Sequence, residues 1–189
     1  MNIFVLHTNP DKAATYQCDK HVPKMCVETA QMMATAVRNH GARDCDMPLT
    51  QANKPYKGGY PHHPCTLWAS ECQENFLWLA EHGLALCIEF ESRFEKEHAC
   101  FEPILEMLGM HYLLPENGEM TPFALAMPDE YRPIFHMNNH GIATYINNDG
   151  KYIVTHASGQ EAVEAYRDYY HSKEFAEWNY TDQPEWWTV

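Results

Sequence analysis

Two long runs with helical apolar spacing, each opened by a histidine beside a proline, constrain the fold of this chain more than any other feature. The first opens as Asp19-Lys20-His21-Val22-Pro23-Lys24 and the second as His62-His63-Pro64-Cys65-Thr66. Proline is favoured in the first turn of a helix, where its missing N–H would be unpaired anyway. The pattern therefore predicts two helices with His21 and His63 at or just before their N-termini. Over residues 22–40 the packing positions are Val22, Met25, Cys26, Thr29, Met32, Met33, Ala36 and Val37. That spacing gives one buried face, and Gly41 is placed to end the helix. The run over 64–100 is stronger, carrying Leu67, Trp68, Phe76, Leu79, Leu86, Phe90 and Phe94, with Gly83 as a candidate bend.

The rest of the chain punctuates these two helices. Residues 2–6 read as a short buried strand, 11–17 as a helical turn or two, and 41–62, rich in Pro, Gly and Lys, as a long loop. A short helix is expected over 102–108 and a loop over 112–140. Residues 143–146 and 151–155 flank Asn147-Asn148-Asp149-Gly150, a hairpin signal. A last helix is predicted over 160–178, followed by the aromatic tail Pro184-Glu185-Trp186-Trp187, which is expected to dock on the fold. The expectation is a mainly α, single compact helical domain over residues 1–189 with a minor β-hairpin.

Composition narrows the setting. With 189 residues and 45% hydrophobic residues the chain can bury a sizeable core. It has no apolar run of membrane-spanning length, and residues 1–9 lack the pattern of a signal peptide, so a cytoplasmic location and no membrane contact are expected. Seven cysteines scattered through such a chain do not read as a disulfide framework. The net charge of −13 speaks against broad binding to duplex DNA. The charge is uneven, however: residues 1–60 carry a balance of +2 and residues 61–189 one of −15. The local excess falls on the two His-Pro starts.

A helix N-terminus offers free N–H donors and a partial positive charge, a seat for phosphate or carboxylate. Lys20, Lys24 and Lys57 lie nearby in sequence as phosphate ligands. His21 and His63 are the acid/base candidates, since a neutral imidazole can act as base or as donor to an oxyanion. The two are expected to line one pocket. Glu28, a carboxylate within an apolar helix, and Asp19, just ahead of it, complete the catalytic candidates. Trp68 can stack a nucleobase, Asn75 can bond its edge, and Arg167 can clamp a phosphate. Against these stand plainer roles: core for the tryptophan, a cap for Asp19, an ion pair for Arg167. Cys18, His21, His63 and Cys65 are possible zinc ligands, but their spacing matches no finger. The His98-x-Cys100 pair and His62 add ligands without specificity, so no stoichiometric metal and no cofactor is expected.

Several motifs together resemble a family of small proteins encoded by tailed bacteriophages: Asn2-Ile-Phe-Val-Leu6, Cys18-Asp-Lys-His21-Val-x-Lys24 with Glu28-Thr-Ala-Gln31, His63-Pro-Cys-Thr-Leu-Trp68, Glu89 with Arg93, Ala165-Tyr-Arg-x-Tyr-Tyr170 and Pro184-Glu-Trp-Trp187. That resemblance implies a phage protein working in the cytoplasm of a bacterial host. A basic helix start, a His-led entry into a long amphipathic helix and an aromatic tail are also similar to phage pyrimidine-dimer DNA glycosylases of the endonuclease V type. This second resemblance implies a mostly helical fold, a flipped or kinked DNA substrate, attack by an N-terminal amine and a carboxylate in the first helix. Here His21 aligns with that carboxylate, and the bulk of Asn2 leaves Met1 in place. The function expected is a hydrolase of nucleic-acid or nucleotide metabolism acting at a glycosidic or phosphate-bearing centre. Its partner would be a nucleotide or short or single-stranded nucleic acid. The alternatives are a non-catalytic nucleotide-binding or host-inhibiting protein and a zinc-stabilised interaction module.

Overall fold

The computed structural model describes residues 1–134, 142–146 and 150–188. Residues 147–149 of the predicted hairpin turn and 135–140 of the predicted loop lie outside them. The described residues form six α-helices: α1 (Pro10–Thr15), α2 (His21–Asn39), α3 (Pro64–Ala69), α4 (Gln73–Phe94), α5 (Phe101–Leu108) and α6 (Gly159–His171). The strands β1 (Phe123–Ala124), β2 (Ile142–Ile146) and β3 (Tyr152–Ala157) make one small antiparallel sheet in the order β1-β3-β2. The architecture is mainly α. Among the described residues no helix is long and apolar enough to cross a membrane.

The centre is the packing of α2 on α4. The predicted stripe of α2 is buried from Val22 to Val37, and it meets Phe76, Leu79 and Leu86 of α4 in one hydrophobic cluster. Gly83 lies within an unbroken α4. It marks the point of closest approach, where an added Cβ would collide with the Thr29 methyl of α2. The predicted run over 64–100 is instead interrupted at residues 70–72, between α3 and α4. Asn75 accounts for the break: its amide donates to Trp68 O and to Thr121 Oγ1, both at 2.7 Å, and its Oδ1 accepts from the Thr121 N–H at 2.9 Å. This fully buried side chain bonds a carbonyl at the end of α3 and pins the segment that leads into β1.

Two further expectations are corrected. Residues 2–6 are buried but form no strand. Asn2 Oδ1 accepts from the Ile3 and Phe4 N–H groups at 2.8 and 3.0 Å, and Leu6 N–H turns back to Phe4 O at 2.7 Å. Those bonds wind the segment and place Phe4 in the left-handed region at φ 44°, a strained conformation for a bulky residue. The last helix ends at His171 rather than near 178. Beyond it the chain turns back and docks its aromatic tail, with Trp187 stacked on His171 at 4.5 Å and Trp178 buried.

Candidate active site

The start of the chain and the first half of α2 meet in a cavity of about 220 Å³. Met1, Asn2 and Phe4 supply one side; His21, Lys24 and Glu28, on one face of α2, supply another. The site is closed by Tyr169 on α6 and by Lys173 and Phe175 just beyond it. The N-terminal ammonium of Met1 lies 3.7 Å from Glu28 Oε2. The same oxygen accepts the Asn2 N–H at 2.8 Å, and Lys24 Nζ stands 3.5 Å from Oε1. Asn2 is anchored through its side-chain amide, which donates to Ala126 O at 2.7 Å. The Met1 side chain is buried, its Sδ accepting from Thr66 Oγ1 at 3.3 Å. An amine is thus held against a carboxylate by fixed neighbours on both sides.

His21 is the first residue of α2 and is buried. Its ring stacks on Phe4 at 4.6 Å and meets the edge of Phe175 at 5.3 Å. Tyr170 Oη accepts the Cys18 N–H at 2.9 Å and lies 2.7 Å from His21 Nδ1. The hydroxyl has one proton to give, so it donates to Nδ1 and leaves the ring N–H on Nε2. Burial pushes the His21 pKa down to about 3, helped by Lys24, Lys173 and Lys20. The imidazole is therefore neutral at physiological pH. The cavity has aromatic walls in Phe4, Tyr169 and Phe175 and a cationic rim in Lys24 and Lys173, with Lys20 above the Phe175 ring at 4.6 Å.

The remaining candidates fall elsewhere. His63 caps α3, its Nδ1 accepting the Cys65 N–H at 3.2 Å. It does not line the cavity beside His21, although burial and then the N-terminal ammonium lower its pKa, against a smaller opposing pull from Glu28. Asp19 pairs with Arg93 at 3.0 Å and accepts the Asn179 N–H at 2.6 Å, which ties the tail to the start of α2. Trp68 and Asn75 are fully buried core residues. Arg167 donates to Leu6 O at 3.0 Å and lies over Trp186 at 5.0 Å, clamping the tail. Lys57 is exposed on the loop that packs at Thr35, roughly two helical turns along α2 from Glu28.

Most first-turn N–H groups of the two helices already have partners. The His21 and Val22 N–H groups both donate to Cys18 O, and those of Thr66 and Leu67 to His63 O. Cys18, His21, His63 and Cys65 do not gather into one ligand group; among the described residues the metal-competent group is Cys26, Cys87 and His98.

Sequence reasoning missed the contributions of Lys173 and Phe175. They follow α6 in a stretch read as helix, and no spacing links them to residues 1–28.

The buried imidazoles fix a pH dependence. Burial also holds His82 down to about 4, between Gln17 and the Pro10 carbonyl. An unfolded histidine protonates near pH 6.5, so between that value and about 4 the unfolded chain binds more protons than the folded one. Stability is full above about pH 6.5 and falls as the pH drops, by roughly 2 kcal/mol per imidazole at pH 5. Thermal melts from pH 7.5 to 5 should show a falling midpoint, with a shallower slope in His21→Gln. A flat profile would contradict the burial of both rings.

A family model described as pyrimidine dimer DNA glycosylase matches residues 1–102 of the chain. No curated protein and no solved structure matches it.

Proposed function

The chain belongs to the pyrimidine dimer DNA glycosylase family, and from that premise we propose that it excises a damaged pyrimidine from DNA with the Met1 amine as nucleophile. The observation that carries this reading is the amine 3.7 Å from Glu28 Oε2 at the wall of an aromatic, lysine-rimmed cavity. Once the Met1 ammonium has released one proton to solvent, its nitrogen has the electron pair that forms a bond to C1′ of the damaged nucleotide. The glycosidic C1′–N bond breaks, and its electron pair leaves with the base. Glu28 takes the proton that the attacking nitrogen sheds. The C1′–O4′ bond then opens, with a proton passing to O4′, and leaves an imine between Met1 and the sugar. Covalent catalysis of this kind replaces one difficult displacement with two easier steps.

The helical acid is Glu28 on α2 in this reading, about two turns beyond His21. His21 is a positioning residue: a neutral ring that offers Nε2–H and holds Phe4 in place. Phe4, Tyr169 and Phe175 provide faces for an extruded base. Lys24 and Lys173 meet the flanking phosphates. Few cations are involved, so binding should show a shallow salt slope.

The test is a duplex oligonucleotide carrying one cis–syn thymine dimer beside an undamaged control. We expect strand processing of the damaged duplex alone. Binding of either without turnover would contradict the proposal and favour a protein that holds nucleotides without acting on them.

A further inference from the structure

We propose that Cys26, Cys87, His98 and Cys100 hold one zinc ion in a closed structural site that clamps α2, α4 and the turn into α5. The ligand atoms of Cys26, Cys87 and His98 all lie within 4.8 Å of one another. Cys26 and Cys87 are almost fully buried, as is Cys100. The Cys100 thiol acts on both Cys26 and His98, and its Sγ lies 3.6 Å from the Tyr56 hydroxyl. Tetrahedral zinc takes sulfur at about 2.3 Å and imidazole nitrogen at about 2.0 Å, which sets its ligand atoms roughly 3.3–3.8 Å apart. Cys26, Cys87 and His98 therefore need to close by at most about 1.5 Å, while Cys100, outside that group, turns its thiol in from Tyr56 to become the fourth ligand. Three thiolates and one imidazole are a donor set that zinc prefers in structural sites.

The fold explains why these four meet. Gly83 brings the backbones of α4 and α2 together at Thr29. One turn away on each helix, in opposite chain directions, stand Cys87 and Cys26. The turn between α4 and α5 then returns His98 and Cys100 to the same spot, with the Cys100 N–H donating to His98 Nδ1 at 3.1 Å. Ligation through Nδ1 takes the lone pair that this N–H now uses, and ligation through Nε2 moves the ring proton to Nδ1, so in either case the Cys100 N–H gives up that bond. A surface cavity walled by Phe90, Lys96 and His98 gives the ion a way in.

Binding breaks three S–H bonds, releases three protons to solvent and forms three Zn–S bonds and one Zn–N bond. No oxidant is required. Spacing alone led to the expectation of a zinc-free chain, because the four ligands converge only through the packing of α2 on α4. Cys26 lies two residues before Glu28, so the metal would stiffen the helix that carries the carboxylate.

The test is elemental analysis of untagged full-length protein, reduced, supplied with zinc and desalted, followed by cobalt(II) exchange. We expect about one zinc per chain. The cobalt form should show thiolate-to-metal charge transfer and tetrahedral d–d bands. Cys87→Ser should lose the zinc and both spectra, whereas Cys45→Ser, at an exposed thiol, should keep them. Wild-type protein below about 0.1 zinc per chain with featureless cobalt spectra would overturn the proposal. So would a Cys26–Cys87 disulfide in the same reduced preparation, or zinc retained in full by Cys87→Ser. The wild-type measurements decide the matter even if the Cys87 variant does not fold.

Discussion

Glu28→Gln is expected to lower the rate of base excision by about 10²–10⁴-fold, the usual contribution of a positioned acid–base group, while leaving the fold intact. The amide is isosteric with the carboxylate, and its carbonyl can still accept the Asn2 N–H that now donates at 2.8 Å. What it cannot do is take a proton from the attacking amine. The contact with Lys24 adds little to stability, because that side chain is 61% exposed. Single-turnover kinetics on a dimer-containing duplex, with circular dichroism as the control for folding, reads both quantities. A rate within about threefold of wild type would remove Glu28 from the chemistry.

The largest loss of stability is expected from Arg93→Met. The guanidinium is almost fully buried and every direction of it is used. Nε donates to Glu89 Oε1 at 2.7 Å, one terminal nitrogen to Gln17 O at 2.8 Å and Asp19 Oδ1 at 3.0 Å, and the other to Thr15 O at 3.0 Å. This single cation caps the C-terminal end of α1, fastens it to α4, and holds the carboxylate that anchors the tail through Asn179. Methionine fills much of the volume but leaves two carboxylates and two carbonyls without their donor. Breaking a buried pair from one side costs about 3–5 kcal/mol, or roughly 10 °C in midpoint for a chain of this size. Urea unfolding should show it. Arg43→Ala, at the exposed pair with Asp46, should leave the midpoint where it is. A shift of under about 1 kcal/mol for Arg93→Met would mean that the network is not a keystone of the fold.

Much of the frame was legible because it is written at short range. The stripe from Val22 to Val37 gave α2 with its stop at Gly41, and Asn147-Asn148-Asp149-Gly150 between apolar runs marked β2 and β3. The break between α3 and α4 was not legible. It depends on Asn75 reaching Thr121, 46 residues along the chain, and periodicity within a window cannot hold such a bond. Residues 2–6 have the composition of a strand, yet the Asn2 side chain takes the Ile3 and Phe4 amides and Leu6 turns back to Phe4 O, so these amides do not pair with a sheet neighbour. The aromatic tail docks as expected, but its rings pack without a helix, which is why α6 is shorter than its composition suggested.

The site was legible in part. Glu28 stood out as a carboxylate in an apolar stripe, and Lys24 as a cation one turn before it. His63 did not join His21 because Met1 packs at Thr66, on the helix that His63 caps. Trp68 was drawn into the core by Phe123 and Trp78, the usual fate of a helical tryptophan. Lys173 and Phe175 come from beyond residue 102, outside the stretch that the family model matches. They reach the cavity because α6 ends beside Phe4, so the far half of the chain completes the walls of a cavity that the first half begins.

If Met1 is the nucleophile, its amine forms a covalent bond with the sugar of a damaged nucleotide during turnover. Sodium borohydride added during turnover reduces an imine to a stable amine and freezes the protein on its substrate. Digestion and mass spectrometry then locate the attachment. A trapped complex is expected on dimer-containing duplex, with the sugar on the Met1 nitrogen, and trapping should be lost when the amine is blocked by acetylation. Efficient excision with no trapped species, or a sugar attached to a lysine such as Lys24, would contradict attack by Met1.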